Sequence, residues 1–239
     1  ILRHLGLSPK ATAEGFSVSA PSFRFDIEIE ADVIEEIGRV YGYDNIPDER
    51  TSGRLKMLPL PETKQSRFDV YRQMAARGYQ EVVSYAFVNE EWERDFAANA
   101  DPVRLQNPLA AQYAVMRSTL IGGLVEILQN NLNRKQSRVR VFEIARVFSK
   151  ASDGRFVQNE RVGGLLSGSA LPEQWGGKSR SGDFYDAKAD VEALLAGKAV
   201  QFVKAAHPAL HPGRTAEIVL DGQTIGFIGE LHPQWLQKY

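Results

Sequence analysis

Apolar and polar residues alternate one for one over residues 23–30, where Phe23, Phe25, Ile27 and Ile29 are interleaved with Arg24, Asp26, Glu28 and Glu30. A period of two predicts a half-buried strand, here within 16–30, with its charges facing water. The period then changes. Over 31–42, Val33, Ile34, Ile37, Val40 and Tyr41 fall on one face of a helix, and Asp32, Glu35, Glu36 and Arg39 on the other. Gly42 suits the helix end. Residues 44–64 lose both periods and carry Pro47, Gly53, Pro59 and Pro61, which predicts a linker. A second helix is expected over 64–77, with Phe68, Tyr71, Met74 and Ala75 as its stripe and Gly78 as its stop.

Further on, 81–88 reads as a strand, and Asn89 is placed to cap a short helix. A turn at 105–109 precedes a long helix over 120–133, and alternation returns over 138–148. Asp153-Gly154 predicts a hairpin into a strand near 162–167, the Gly- and Ser-rich 170–183 a loop, and 186–195 an amphipathic helix. The remainder, 199–231, reads as strand, loop and a hairpin on Asp221-Gly222. Hairpin-linked strands with helices between them predict an α+β fold, an antiparallel sheet flanked by helices.

Composition narrows the chemistry. The 239 residues are 43% hydrophobic and 25% charged, ordinary for a chain that buries a core. A formal net charge of −1 argues against a broad nonspecific grip on nucleic acid. With no cysteine, disulfides and thiolate metal sites are excluded. No GxGxxG or GxxxxGK[ST] loop is present to cradle a nucleotide phosphate. No apolar run approaches the roughly 18–20 residues of a bilayer span, and no secretory signal is seen, so no membrane partner and a cytoplasmic setting are expected. A chain opening on Ile1 and closing on Tyr239 without a helix stop reads as a piece of a longer protein.

The most informative chemistry is acidic. Asp32, Glu35 and Glu36 share a helix face, and Asp26 lies on the polar side of the segment that feeds it. Clustered carboxylates repel unless a cation compensates, and Mg²⁺, a hard ion, is the natural one. The competing reading is a solvated helix face balanced by Arg39.

The run from Pro21 to Pro47 closely resembles a signature of the bacterial phenylalanine–tRNA synthetase beta subunit, in the closing half of that subunit's fifth domain. Similar blocks follow through the chain: Asn107-Pro108-Leu109, Met116-Arg117-Ser118-Thr119-Leu120, Asn130 to Arg134, Phe142 to Phe148, Asp183 to Leu195, His207 to Arg214 and Gly229 to Pro233. Ala145 and Ala189 stand where the family usually has Gly, and Tyr185 where it has Phe. The resemblance implies that Asp26, Asp32, Glu35 and Glu36 bind a Mg²⁺ shared with the alpha subunit, which favours the metal over the solvated face. It divides the chain into 1–47, the C-terminal half of a small α+β domain carrying the acidic element, a linker at 48–64, and 65–239, a module like a class II aminoacyl-tRNA synthetase core without its catalysis. It also implies an alpha2beta2 heterotetramer that attaches L-phenylalanine to tRNA(Phe) with ATP.

The module's silence is legible in one position. Active class II cores place an arginine two residues before the acid of their second motif, to pair bidentately with a phosphate. Here Val141 stands two before Glu143, and no GxGxxR pattern follows. No catalytic residue is therefore expected, and the module's task is to pair with the alpha subunit. The alternatives are a self-sufficient Mg²⁺-dependent adenylating enzyme, disfavoured by Val141, and a nucleic-acid-binding module, disfavoured by the net charge. His207, His211 and His232 are expected to fix turns, because Pro208 and Pro212 deny the first two a helical ligand spacing. Arg134, Lys135, Arg138 and Arg140 form the densest basic group; a solvated loop is expected there, with Arg140 able to pair with an acid and contact with alpha or a tRNA phosphate as the alternative.

Overall fold

The computed structural model describes residues 1–53, 56–57 and 65–239, in two compact units, Ile1–Leu60 and Pro61–Tyr239. Residues 54–55 and 58–64 of the expected linker, including Pro59 and Pro61, and with them the first residue of the helix expected over 64–77, lie outside the described residues.

In the first unit, β1 (Ser8–Ala11) and β2 (Phe16–Ser19) form an antiparallel hairpin, and α1 (Glu30–Tyr41) follows. Gly42, at φ 94°, ends α1 as expected. Tyr43 folds back so that its ring covers Gly38, where a Cβ would stand 3.2 Å from Cε1.

The strand expected over the alternating 23–30 does not form. Its backbone donors are satisfied locally instead: the Arg24 N–H donates to the Pro21 carbonyl at 2.9 Å, and the Glu28 and Ile29 N–H groups donate to the Asp32 carboxylate. A segment with its N–H groups spent on turns and a cap has no ladder to offer. Phe25, at 87% exposed, shows that the alternation here marks no half-buried face. The stripe of α1 is likewise open within this unit: Ile34, Val40 and Tyr41 are exposed, and only Val33 is half-buried.

The second unit holds most of the core. Its long hairpin pairs β6 (Val139–Lys150) with β7 (Phe156–Ser167) in unbroken register from Val139↔Ser167 to Lys150↔Phe156. On the other side of β6 lies β3 (Gln80–Glu81), parallel to it, so this sheet is mixed. A second sheet, wholly antiparallel, has the order β10 (Gln223–Leu231), β9 (Leu210–Leu220), β8 (Val200–Lys204). Asp221 at φ 50° and Gly222 at φ 76° make its tight turn, left-handed at both positions as a two-residue hairpin needs.

The strand expected over 81–88 splits into β3 and β4 (Phe87–Val88), which pairs with β5 (Val115–Met116). Between them Ser84 leaves the ladder to bond with Glu143 on β6. Helices cover the sheets. Leu120, at the start of α4 (Ile121–Asn133), and Leu124 within it pack on Val139, Val141 and Val147. Met74 of α2 (Arg67–Ala76) packs on Tyr79, Phe142 and Ile144. Along α5 (Phe184–Leu194), Ala187 and Val191 meet Ala216, Ile218 and Ile228. The caps follow the sequence: Asn89 accepts from the Glu91 N–H at the head of α3 (Glu90–Ala97), and Asp183 and Asp186 form a reciprocal capping box on α5. The architecture is α+β, as expected, with one parallel pair inside a largely antiparallel design.

Ala145 on β6 and Ala189 on α5 stand in regular strand and helix, and neither has a positive φ, so neither departure from glycine strains the chain.

Candidate functional site: an acidic element and a closed sheet position

The turns at 21–29 and the first two turns of α1 bring part of the acidic group together. The Arg24 guanidinium lies between Asp26 and Glu36. Its Nε and Nη2 donate to the Asp26 carboxylate at 2.7 to 3.2 Å, and Nη1 and Nη2 stand 3.2 Å from the two Glu36 oxygens. Arg39, one helical turn on, adds a second donor to Glu36 at 2.8 Å. These hydrogen bonds, Arg24 first and Arg39 second, hold the Glu36 carboxyl down to about 2. The Arg24 bond likewise lowers Asp26.

Asp32 does different work. At the third position of α1, its Oδ2 accepts the Ile29 and Glu28 N–H groups, each at 2.8 Å, and these bonds hold its carboxyl below the usual range. It is a helix cap, a role the spacing did not single out. Glu35 stands exposed on α1.

The structure thus joins Asp26 and Glu36 through an arginine, commits one oxygen of Asp32 to the backbone and leaves Glu35 in solvent. Among the described residues, no group of three or more His, Asp or Glu side chains is arranged to hold a metal ion. Mg²⁺ takes oxygen ligands in near-octahedral geometry. In this arrangement the four carboxylates do not fit it, because Arg24 occupies the space between Asp26 and Glu36 and Asp32 Oδ2 is committed to the backbone.

The second position of interest is on β6. Val141 is only 4% exposed and belongs to the core beneath α4, so its side chain faces the interior. Glu143, 3% exposed, is consumed by its neighbours: Arg117 Nη1 at 3.1 Å and the Ser84 hydroxyl at 2.7 Å, with the Ser84 N–H at 3.2 Å. Arg117, itself 5% exposed, also donates to the Ser84 hydroxyl and to the Arg146 carbonyl. Every strong donor facing Glu143 is inside the fold. Such a buried, satisfied network gives a phosphate no free cation to meet.

His207, His211 and His232 each brace the local backbone by one device, although His211 lies at the start of β9 and His232 caps the C-terminal helix rather than either sitting in a simple turn. Each is followed by proline, and in each Nδ1 accepts the N–H two residues on: His207 from Ala209, His211 from Gly213, His232 from Gln234, at 3.0 to 3.2 Å. Burial pushes the His207 imidazole down. The basic group divides. Arg138 and Arg140 are spent on the carbonyls of Ser169 and Ala170, and Arg140 also pairs with Asp190, while Arg134 and Lys135 are exposed. Asp190 was missed in sequence: buried on α5, it receives Arg77 and the Tyr79 hydroxyl besides Arg140. An acid on the apolar side of a helical stripe is the signal that marks it.

Two family models match the chain. That of the phenylalanyl tRNA synthetase beta chain CLM domain covers residues 46–239, and that of the tRNA synthetase B5 domain covers 1–43. A phenylalanine–tRNA ligase beta subunit of Neisseria meningitidis is 80% identical over all 239 residues, and that of Chromobacterium violaceum 59%. The chain spans 30% of the length of each of these curated relatives. A pyrrolysyl tRNA synthetase of Desulfitobacterium hafniense, of known structure, aligns over 66% of this chain and 53% of its own, at 16% identity and a TM-score of 0.43. That likeness is too slight to establish a shared fold.

Proposed function

Because this chain belongs to the phenylalanyl tRNA synthetase beta chain family, we propose that it is a noncatalytic part of a phenylalanine–tRNA ligase, and that its second unit is a class II synthetase-like module kept for assembly. The partner in this reading is the catalytic alpha subunit, in an alpha2beta2 heterotetramer that joins L-phenylalanine to tRNA(Phe) in the cytoplasm. ATP and Mg²⁺ enter only as requirements of that whole enzyme. The domain division at 1–47, 48–64 and 65–239 belongs to the same reading.

The observation that carries it is the state of β6. Val141, where an active module would present a phosphate-binding arginine, is packed in the core, and Glu143 beside it is paired with Arg117 and Ser84. Stabilising charge on a transferring adenylate needs preorganised cationic donors that face the ligand, and here those of the network face inward. What such a module offers a holoenzyme is surface, not chemistry.

Phenylalanine-dependent ATP–pyrophosphate exchange tests the reading. The full-length protein alone is expected to show none, and addition of the alpha subunit to restore it. Exchange by the beta protein alone would end the noncatalytic assignment. Failure of the two proteins to copurify would remove the scaffold role.

A further inference from the structure

Arg24 has the chemistry of a resident counter-ion. It presents donors from three guanidinium nitrogens to two carboxylates that come from different local elements, a turn and a helix. Its own side chain is 21% exposed and that of Glu36 12%, so the contact between them is partly screened from water, and Arg39 closes the far side of Glu36. A guanidinium is always charged at physiological pH and matches carboxylates in a planar fork.

The two carboxylates already have two compensating charges, Arg24 between them and Arg39 on the far side of Glu36. A divalent ion entering there would have to displace the Arg24 fork and would feel the repulsion of both arginines. Asp32 is poorly placed to help, since turning its Oδ2 to a metal would release the Glu28 and Ile29 N–H groups that begin α1.

We propose that Arg24 is the built-in cation of this acidic element and excludes a divalent metal from between Asp26 and Glu36. The inference rests on the first unit alone and stands or falls apart from the noncatalytic role of the second. Its consequence is that this element latches the turn at 21–29 to α1 without metal. Release of Arg24, for instance by a competing carboxylate from another protein, would be the event that opens the carboxylates to a cation.

The test is Mn²⁺ binding to the full-length protein, followed by loss of the free-ion electron paramagnetic resonance signal. Wild type and Asp26→Asn/Glu36→Gln are expected to bind the same number of ions. Arg24→Met is expected to gain a site at least about tenfold tighter than any wild type shows there, lost again when Asp26→Asn and Glu36→Gln are added. Arg24→Gln, neutral but polar, serves should the methionine variant fail to fold, with the circular-dichroism melting curve as the check. An ion held by wild type and removed by the carboxylate pair of substitutions would overturn the proposal. So would a folded neutral Arg24 variant that gains nothing.

Discussion

Two arginine–carboxylate groups in this chain have the same chemistry and opposite settings. Arg24 with Asp26 and Glu36 sits near the surface of the first unit, while Arg117 with Glu143 of β6 is buried in the second. The first is wet enough to be rearranged: water stabilises either charge when they part, so the net value of such a pair is small. The second has no such recourse. Neither partner can be separated or removed without leaving a charge in a medium that does not solvate it. The contrast teaches where this protein can respond to something outside itself and where it cannot. An exposed pair is a contact that another molecule can contest; a buried one is part of the fold.

The largest expected effect follows from the buried group. Arg117→Met leaves Glu143 with Ser84 alone and is expected to cost about 3–5 kcal/mol in urea denaturation of the protein. The double substitution Arg117→Met/Glu143→Leu, which removes both charges, should recover most of that loss. If the single variant loses less than about 1 kcal/mol, the pair behaves as a surface pair does and the contrast fails. Val141→Arg sharpens the same point: a charged side chain at a position 4% exposed should destabilise the protein without conferring pyrophosphate exchange.

How far the sequence carried differs between the two settings for the same physical reason. In the second unit apolar periodicity reports burial, because the stripe residues Leu124, Val139 and Val141 do pack on one another. The helix starts at Asn89 and Asp183 and the turn at Asp221-Gly222 were legible too, since local backbone chemistry selects those residues. In the first unit the alternation over 23–30 had no packing behind it, and a pattern without a partner reports nothing. The acidic group was legible as a group. Its pairing was not: in the alternating pattern Arg24 is one polar position among four, and only the turn that replaces the strand swings it between Asp26 and Glu36. The break between β3 and β4 was hidden for the same reason, being caused by Glu143 some sixty residues away.

Next in size is the cap on α5. Asp183 accepts the Tyr185 and Asp186 N–H groups and lies in neither charge group, so Asp183→Ala should cost about 1 kcal/mol. Asp183→Asn should cost less, because the amide oxygen still accepts. A loss for Asp183→Ala approaching that of Arg117→Met would mean that exposed polar contacts weigh as much here as buried ones.

Smaller again is the contribution of His207. Burial lowers its pKa below the ordinary value of 6.5, so the unfolded chain binds the proton more readily than the folded one. Stability from this group is therefore complete above pH 6.5 and is lost as the pH falls from there through the folded value. His207→Gln should flatten the melting-temperature profile below the ordinary imidazole value of 6.5. His211→Gln gives the comparison within the same backbone-bracing chemistry, and an unchanged slope for His207→Gln would remove the burial argument.

The smallest effect on stability, and the finest probe of the comparison, is at the exposed group. Glu36 is held down to about 2 by hydrogen bonds from Arg24 first and Arg39 second. A depressed carboxyl stabilises the fold above its unfolded pKa, near 4.5, and gives that up as the pH drops toward 2. Because the Arg24–Glu36 contact is only partly screened from water, Arg24→Met should lower the melting temperature at pH 7 only slightly. In a carbon-detected titration, however, the Glu36 carboxyl should move up toward its ordinary range, with Arg39 preventing a full return. If the midpoint stays where it was, Arg24 is not what holds the Glu36 charge, and the surface group loses the cation on which its difference from the buried one depends.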